Sequence, residues 1–526
     1  MHRVLQLADV LEVIADAIPD RPAVITSDGI ARTYAEFDER ATRLANHLAS
    51  TGVGAGDHVA VHAMNCVEWC EAFYACFKIS AVPINVNYRY VEAELRYLYD
   101  NADCVAVIAQ PEFAAAIDAV SDVLPNLKHR LLIGEEYEAA LGAASPARAL
   151  GERSPDDIYI IYTGGTTGLS KGVMWRHEDL ILGALNQNRF GAPIDDVEQL
   201  GTEAAAAPNQ FRLTAVGPMM HGAGQWTMGN AHVCGGVFLL YTERRFDAHK
   251  LLTFLAREKA VSVGLLGDAM ARPVAEALTA PDAPVYDLSS LMAVSNAAAQ
   301  LTPSVRAQLM KALPNALLLD AYGSSETGVA GSRLGASSEP EAPRFEFGPA
   351  TAVLRDDGTR CEIGEVGILA KTGNIPIGYY NDPDKTAAVF RTFDGVRWSM
   401  SGDFARLEAD GTLSMLGRGS VTINSGGEKV HPEEIEGALI AHPAVFDAIV
   451  IGTPSERWGQ QVTGIVRLRD GHDVTEDKLR AHARTLVADY KVPKAILFVD
   501  EMPRTQVGKV DYRAASKLAG RLLADA

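Results

Sequence analysis

Cysteine is sparse in this chain, and nothing about its placement suggests a metal or a disulfide framework. Six cysteines, at positions 66, 70, 76, 104, 234 and 361, are spread over 526 residues, with no C-x-x-C pair and no histidines gathered around them. They read as reduced, mostly buried thiols of a cytosolic protein. Positive charge is also short: 48 Lys and Arg stand against 67 Asp and Glu, a formal net charge of −19. That balance argues against nucleic acid as a partner. Small anionic substrates stay open, because a few lysines and backbone N–H groups can hold phosphate inside an acidic protein. No stretch approaches the roughly 18 apolar residues of a spanning helix. The opening "MHRVLQLADVLEVIADAIPD" reads as an amphipathic helix interrupted by Asp9, Glu12 and Asp16, without the apolar core of a signal peptide. No basic amphipathic stretch points to a membrane surface, and the expected location is the cytoplasm. Fixed-period repeats and low-complexity tracts are missing too.

With 48% hydrophobic and 22% charged residues, the chain has material for sizeable cores, and its length predicts two to four units. Helical periodicity at 34–50 is followed by a strand at "DHVAVHA", a helix at "VEWCEAFYACFKIS", a strand at "AVPINVN", a helix at "VEAELRYLYDNA" and a strand at "CVAVIAQ". That alternation predicts a mostly parallel sheet covered by helices, and it returns at "DIYIIY", "VFLLY", "SVGLLG" and "ALLLDAYG". From about residue 345 short strands joined by Asp-Gly turns take over, where glycine supplies the positive φ of a tight hairpin. After Gly419 a small α+β unit of about a hundred residues begins.

One segment stands apart. "YTGGTTGLSKGV" (162–173) sets three glycines and three threonines before Lys171. It is not the phosphate loop of NTPases, which places glycine directly before the lysine; here Leu169 and Ser170 intervene. A strand ending at Tyr162, a helix beginning near His177 and glycines between them would still let N–H groups approach an anion. From this segment alone, a loop that holds phosphate and a loop that holds nothing are equally open.

Four other pieces decide between them. "DAYGSSETG" (320–328) places Glu326 in a Gly/Ser turn, and "SGDFARLEADGTLSMLGRGS" places Asp403 and Arg418 at the two ends of a hairpin. "NSGGEKVHPEEIE" (424–436) is glycine-rich, and "PRTQVGKVDYR" carries Lys509. Together, in this order and over nearly the whole chain, the motifs resemble the adenylate-forming superfamily, and within it the AMP-forming acyl-CoA synthetases.

The resemblance implies an α/β fold. It has a large N-terminal domain (1–418) of helix-covered mixed sheets with a β-rich subdomain at about 345–418, a hinge at 419–421, and a small mobile α+β C-terminal domain (422–526). It also implies ATP, Mg²⁺ and CoA. Thr163, Gly164, Gly165, Thr166, Thr167, Gly168 and Lys171 look like the loop that holds the β- and γ-phosphates. Tyr322, Gly323, Ser324 and Ser325 resemble the adenine and α-phosphate element, with Glu326 reaching Mg²⁺. Asp403 and Arg418 are similar to the ribose-binding pair, and Lys509 to the lysine bridging the acyl carboxylate and the α-phosphate. Lys509, Thr163 and Glu326 are the expected catalytic residues.

Ser425, Gly426, Gly427 and Glu428 are expected along the pantetheine arm of CoA after the small domain rotates about Ser420. "SNAAAQL" (295–301) replaces a glycine-rich segment, so Asn296, Ala297 and Ala298 are expected beside the adenine and acyl pockets. For the acyl group, "PMMHGAGQWTMGN" (218–230) offers His221 and Trp226 with Met219, Met220 and Met228 as core or tunnel wall, joined by Gly323. "GDAMARP" (267–273) adds Asp268 and, with the loops above, is similar to an actinobacterial branch acting on steroid side-chain carboxylates. The expected substrate is a hydrophobic monoacid, either a steroid side-chain carboxylate or a medium- or long-chain fatty acid. Two rivals remain open: an adenylation enzyme loading a carrier protein, and a catalytically inactive acyl-adenylate or nucleotide-binding homologue. A homo-oligomer is compatible with all of them.

Overall fold

The computed structural model describes residues 3–148, 150–164, 169–189, 192–296, 301, 303–334, 344–418, 423–430, 432–503 and 512–524. The predicted alternation folds as two separate parallel arrays. Val82–Asn85, His58–His62, Cys104–Ala109 and His129–Leu132 lie side by side in a four-stranded sheet, all parallel. Apart from the edge strand His129–Leu132, its strands are buried on both faces: Val59 and Val61 enter one core and Ala60 the opposite one, the period-two alternation of a strand. The Tyr34–Ser50 helix opens with a capping box, in which Thr33 and Glu36 each accept the other's backbone N–H. It then buries Phe37, Ala41, Leu44, Ala45 and Leu48 along one face.

The larger sheet has eight strands, in the order Gly328–Leu334, Leu317–Ser324, Ala293–Asn296, Ser262–Leu265, Arg212–Ala215, Val237–Leu240, Pro22–Thr26 and Ala31–Thr33. The six inner strands are parallel and both edge strands antiparallel. Chain order reverses at Arg212–Ala215, whose neighbours are the next strand on one side and a later one on the other. In such sheets the crevice beyond the carboxyl ends at the reversal is where ligands bind. The chain leaves those ends at Val216–His221, Leu266–Gly267, Asn296 and Tyr322–Glu326, each a segment singled out by its motif.

The region after residue 344 is the expected β-rich unit, a seven-stranded antiparallel sheet. Its Asp-Gly turns carry glycines at φ 87° (Gly358) and 83° (Gly411). The small C-terminal domain places Ile423–Ser425, Glu428–Val430, Val445–Ser455, Gly459–Leu468 and Ala495–Phe498 in one sheet, covered by the helices Pro432–Ile440, Glu476–Arg484 and Tyr512–Ala524. All six cysteines are free, four of them buried. No described helix is long and apolar enough to cross a membrane.

Candidate active site

The glycine-rich segment is a hairpin, not the open strand-to-helix loop expected from its glycines. Strands Ile158–Gly164 and Ser170–Arg176 pair antiparallel, with Tyr162 opposite Gly172 and Thr163 opposite Lys171, and only then does the His177–Ala184 helix begin. The second strand forms because Val173 and Trp175 are buried β-formers, and because its other edge pairs with Gly378–Tyr379. Gly172 is required by packing: a Cβ there would meet Ile160 Cγ2 at 2.7 Å and Tyr162 Cε2 at 2.8 Å. Lys171 therefore projects from a strand rather than from a mobile loop. Thr163 and Gly164 end the first strand, and the tip residues Gly165, Thr166, Thr167 and Gly168 lie outside the described residues.

Lys171 and Glu326, far apart in sequence, meet at Tyr379. The Tyr379 hydroxyl donates to Glu326 Oε1 at 2.8 Å, and the Lys171 ammonium lies 5.9 Å from the same ring. Lys171 also pairs with Asp382 at 3.3 Å. The turn holding Glu326 is clamped by its own backbone: Trp175 Nε1 donates to the Ser325 carbonyl at 3.0 Å and the Ser399 hydroxyl to the Glu326 carbonyl at 2.6 Å. Upstream, a register shift separates Tyr322 from Gly323. A Cβ on Gly323 would strike the Gly328 carbonyl oxygen at 2.1 Å, so only glycine passes there. Ser324 is occupied inside the turn, its hydroxyl 3.2 Å from that of Thr327. Half-buried Tyr322 leans on Phe345, ring centroids 5.8 Å apart.

Asp403 and Arg418 are directly opposed across their hairpin. Asp403 is buried, with Oδ2 accepting from the Ser401 hydroxyl at 2.7 Å. The side chains of Arg418 and Asp268 lie outside the described set, as do Ala297, Ala298, Ser420 and Lys509. Asn296 is buried, and its side chain is spent inside the protein: Oδ1 accepts from Gly267 N at 2.9 Å and Nδ2 donates to Asp320 at 3.2 Å. It ties the ends of three neighbouring strands together at the crevice. Met219 and Met228 belong to the main hydrophobic core, whereas half-buried Trp226 packs on Trp175 with centroids 6.2 Å apart.

The small domain reaches into the same crevice. Its Ile423–Ser425 and Glu428–Val430 strands form a hairpin whose turn, Gly426 and Gly427, has φ of 61° and 88°. Glu428 beside that turn pairs with His221 Nε2 at 3.2 Å and with Arg89 at 2.7 Å. Burial pushes the Glu428 carboxyl up, but His221 and Arg89 outweigh it and hold the group below its ordinary range. A cavity of about 140 Å³ lies between the domains, lined by His221, Arg89, Leu266, Gly426, Gly427 and Glu428 among others.

Tyr379, Asp382, Trp175 and Arg89 were not among the residues expected from sequence. The first two sit in "GYYND", an unremarkable edge strand and turn whose role depends on pairing with the glycine hairpin. Arg89 lies in "NVNYRY", where a cation between two tyrosines was the available signal.

Comparison with known proteins adds an independent line. The sequence model described as AMP-binding enzyme matches residues 11–380, and that of the AMP-binding enzyme C-terminal domain matches 434–509. The chain is 46% identical to a 3-oxocholest-4-en-26-oate–CoA ligase of Rhodococcus rhodochrous, covering 99% of this chain and 97% of that one. It is 43% identical to a medium/long-chain-fatty-acid–CoA/3-oxocholest-4-en-26-oate–CoA ligase of Mycobacterium tuberculosis, covering 98% and 96%. Among solved structures, an amide bond synthetase from Marinactinospora thermotolerans shares the fold, with a TM-score of 0.80 at 23% identity over 97% of this chain and 99% of the other.

Proposed function

This chain belongs to the AMP-binding enzyme family, and from that premise we propose that it is an AMP-forming acyl-CoA synthetase acting on a hydrophobic monocarboxylic acid. The observation that carries the reading is the meeting of Lys171 and Glu326 at Tyr379, at the carboxyl ends of the eight-stranded sheet, with Asp403 and Arg418 opposed across a neighbouring hairpin.

In the first half, a carboxylate oxygen attacks the α-phosphorus of ATP. The acyl–phosphate bond forms, the bond to the bridging oxygen breaks, and pyrophosphate leaves. Two anions must approach one another, and the positive charge of Lys171, together with that of Lys509 in the role its motif gives it, would lower that cost. Asp403 accepts from the ribose diol, and Tyr322 flanks the base. A magnesium ion fits at Glu326, a hard oxygen donor already oriented by Tyr379; bound there it would neutralise phosphate charge. The described residues hold no cluster of three metal-ligating side chains, and Mg²⁺ typically takes one or two carboxylates with phosphate and water.

In the second half, the thiol of CoA attacks the acyl carbonyl. The C–S bond forms, the C–O bond to AMP breaks, and the thiol proton passes to solvent. The interdomain cavity beside Gly426 and Gly427 suits a slender pantetheine arm, since both glycines present bare backbone. We place the hinge for the preceding reorientation at 419–421, with domains 1–418 and 422–526. Similarity over the full chain to ligases named for a steroid side-chain acid and for medium/long-chain fatty acids supports those two substrate classes.

The test is an acid panel, steroid side-chain against fatty, scored for CoA thioester, AMP and pyrophosphate. Thioester from a hydrophobic monoacid is expected. ADP in place of AMP, or acyl transfer to a phosphopantetheinyl carrier but not to CoA, would overturn the proposal. Lys509→Ala should slow pyrophosphate exchange by about 10²–10³, the loss expected for one key electrostatic donor, while largely sparing thioester formation from preformed acyl-adenylate.

A further inference from the structure

A buried ion cluster joins the two domains, and the reaction above makes no use of it. Lys491, in the small domain, is 5% exposed. Its ammonium donates to Glu94 Oε1 on the large domain's Glu92–Asn101 helix and to Glu434 Oε1 on its own domain's Pro432–Ile440 helix, both at 2.7 Å. The rings of Tyr90 and Tyr490 lie 5.1 Å and 5.7 Å from it. Short polar contacts from the same large-domain segment continue the seam. Asn87 Nδ2 donates to the Tyr490 hydroxyl at 3.1 Å, Arg89 stacks 5.4 Å over the Tyr490 ring, and Arg89 pairs with Glu428 at 2.7 Å.

We propose that Lys491, Glu94 and Glu434 form a clasp that holds the small domain with its Gly426–Gly427 turn against His221, and thereby sets the rate of acyl transfer to the thiol. The clasp touches neither substrate, so its members are positioning residues. The inference rests on the two-step reading above.

Glu434 belongs to the same domain as Lys491 and travels with it. Glu94 does not, so the 2.7 Å bond from Lys491 to Glu94 exists only while the domains are docked. Removing the lysine does more than delete that bond: it leaves two carboxylates facing each other out of water, which opposes docking. Adenylation asks nothing of this contact.

Two variants and two readouts test the clasp. Lys491→Met should slow acyl transfer from isolated acyl-adenylate to CoA on the order of tenfold or more, the size of a typical coupling between states, with ATP–pyrophosphate exchange unchanged or faster. Glu94 accepts from Lys491 through Oε1 and from the Val91 N–H through Oε2; Glu94→Gln keeps the shape and one of these two acceptors, so it should fold normally and give a smaller loss in the same direction. The double variant should be no slower than Lys491→Met alone, because both act on one contact. Hydrogen exchange without substrates reads docking independently of chemistry: Lys491→Met should expose amides in segment 87–94 and leave the rest of the large domain protected. Equal loss in both half-reactions, or unchanged exchange in that segment, would overturn the clasp. A wild-type protein that catalyses neither half-reaction yet shows the exchange difference would overturn the functional reading and leave the clasp standing.

Discussion

Lys78 and Lys491 are both withdrawn from water and both lie between two carboxylates, yet one is fixed inside a domain and the other spans two. Lys78 donates to Glu12 at 2.7 Å and to Asp38 at 2.6 Å. Around it Arg153 pairs with Asp9 and Glu12, and Arg148 with Asp38. Three cations thus face three buried acids. Burial alone would push the Glu12 carboxyl up, but Arg153 and Lys78 hold it down to about 2. At Lys491 one ammonium serves two acids. There burial prevails over the lysine, Glu94 adds its own charge, and the Glu434 carboxyl is pushed up to about 7. Full compensation suits a contact that never opens. A deficit of one positive charge leaves the interdomain contact closer to balance and so reversible.

The most severe way to test that contrast is to remove each lysine. Lys78→Met should cost about 3–5 kcal/mol of stability, as for a broken buried pair, read as a lower denaturant midpoint. Lys491→Met should barely move that midpoint, because its loss is of docking rather than of either core. Equal destabilisation would break the comparison. A smaller effect is expected where the adenylation machinery touches the scaffold. Tyr379→Phe deletes the hydroxyl on Glu326 and keeps the ring beside Lys171. It should slow pyrophosphate exchange roughly ten- to a hundredfold, the worth of one hydrogen bond to a charged group, without changing acyl transfer from preformed adenylate.

The parts of this molecule that could be read from sequence are those whose signal is local. The runs at 58–62 and 104–109, buried almost throughout, and the capped helix at 34–50 each carry a local signal of their burial. Asp403 and Arg418 are joined by one hairpin, so their opposition followed from the Asp-Gly turn between them. The second strand of the 158–176 hairpin is hidden in the sequence because glycine density masks it and its outer partner, Gly378–Tyr379, lies some two hundred residues on. The clasp was invisible for the same reason on a larger scale. Glu94 and Glu434 look like ordinary helix acids, and Lys491 meets Glu94 across a separation of 397 residues. No periodicity encodes such a contact.

The subtlest prediction concerns pH. Glu434 has its carboxyl raised from an ordinary 4.5 to about 7 while docked, and returns toward the lower value once undocked into water. Docking therefore takes up a proton between those values: its full benefit is present below about 4.5 and is lost as pH rises through about 7. The two facing tyrosines do not titrate in that window. Burial, with Glu94 and Glu434 adding to it against the pull of Lys491, pushes Tyr90 up to about 12, and burial holds Tyr490 well above its ordinary value. Burial works against the Lys491 ammonium, but Tyr90, Glu434 and Glu94 raise it, so it stays charged; Glu428 stays ionised beside Arg89 and His221. Glu434→Gln keeps an acceptor for Lys491 and removes the titration. The ratio of variant to wild-type acyl-transfer rate should be near one at about pH 6 and climb toward roughly tenfold at about pH 8, one pH unit past the midpoint. Taking a ratio cancels the ionisation of the thiol itself, and the same ratio for pyrophosphate exchange should stay flat. A flat ratio in both halves would show that the second acid carries no excess charge at the seam, and that the two buried lysines are compensated alike.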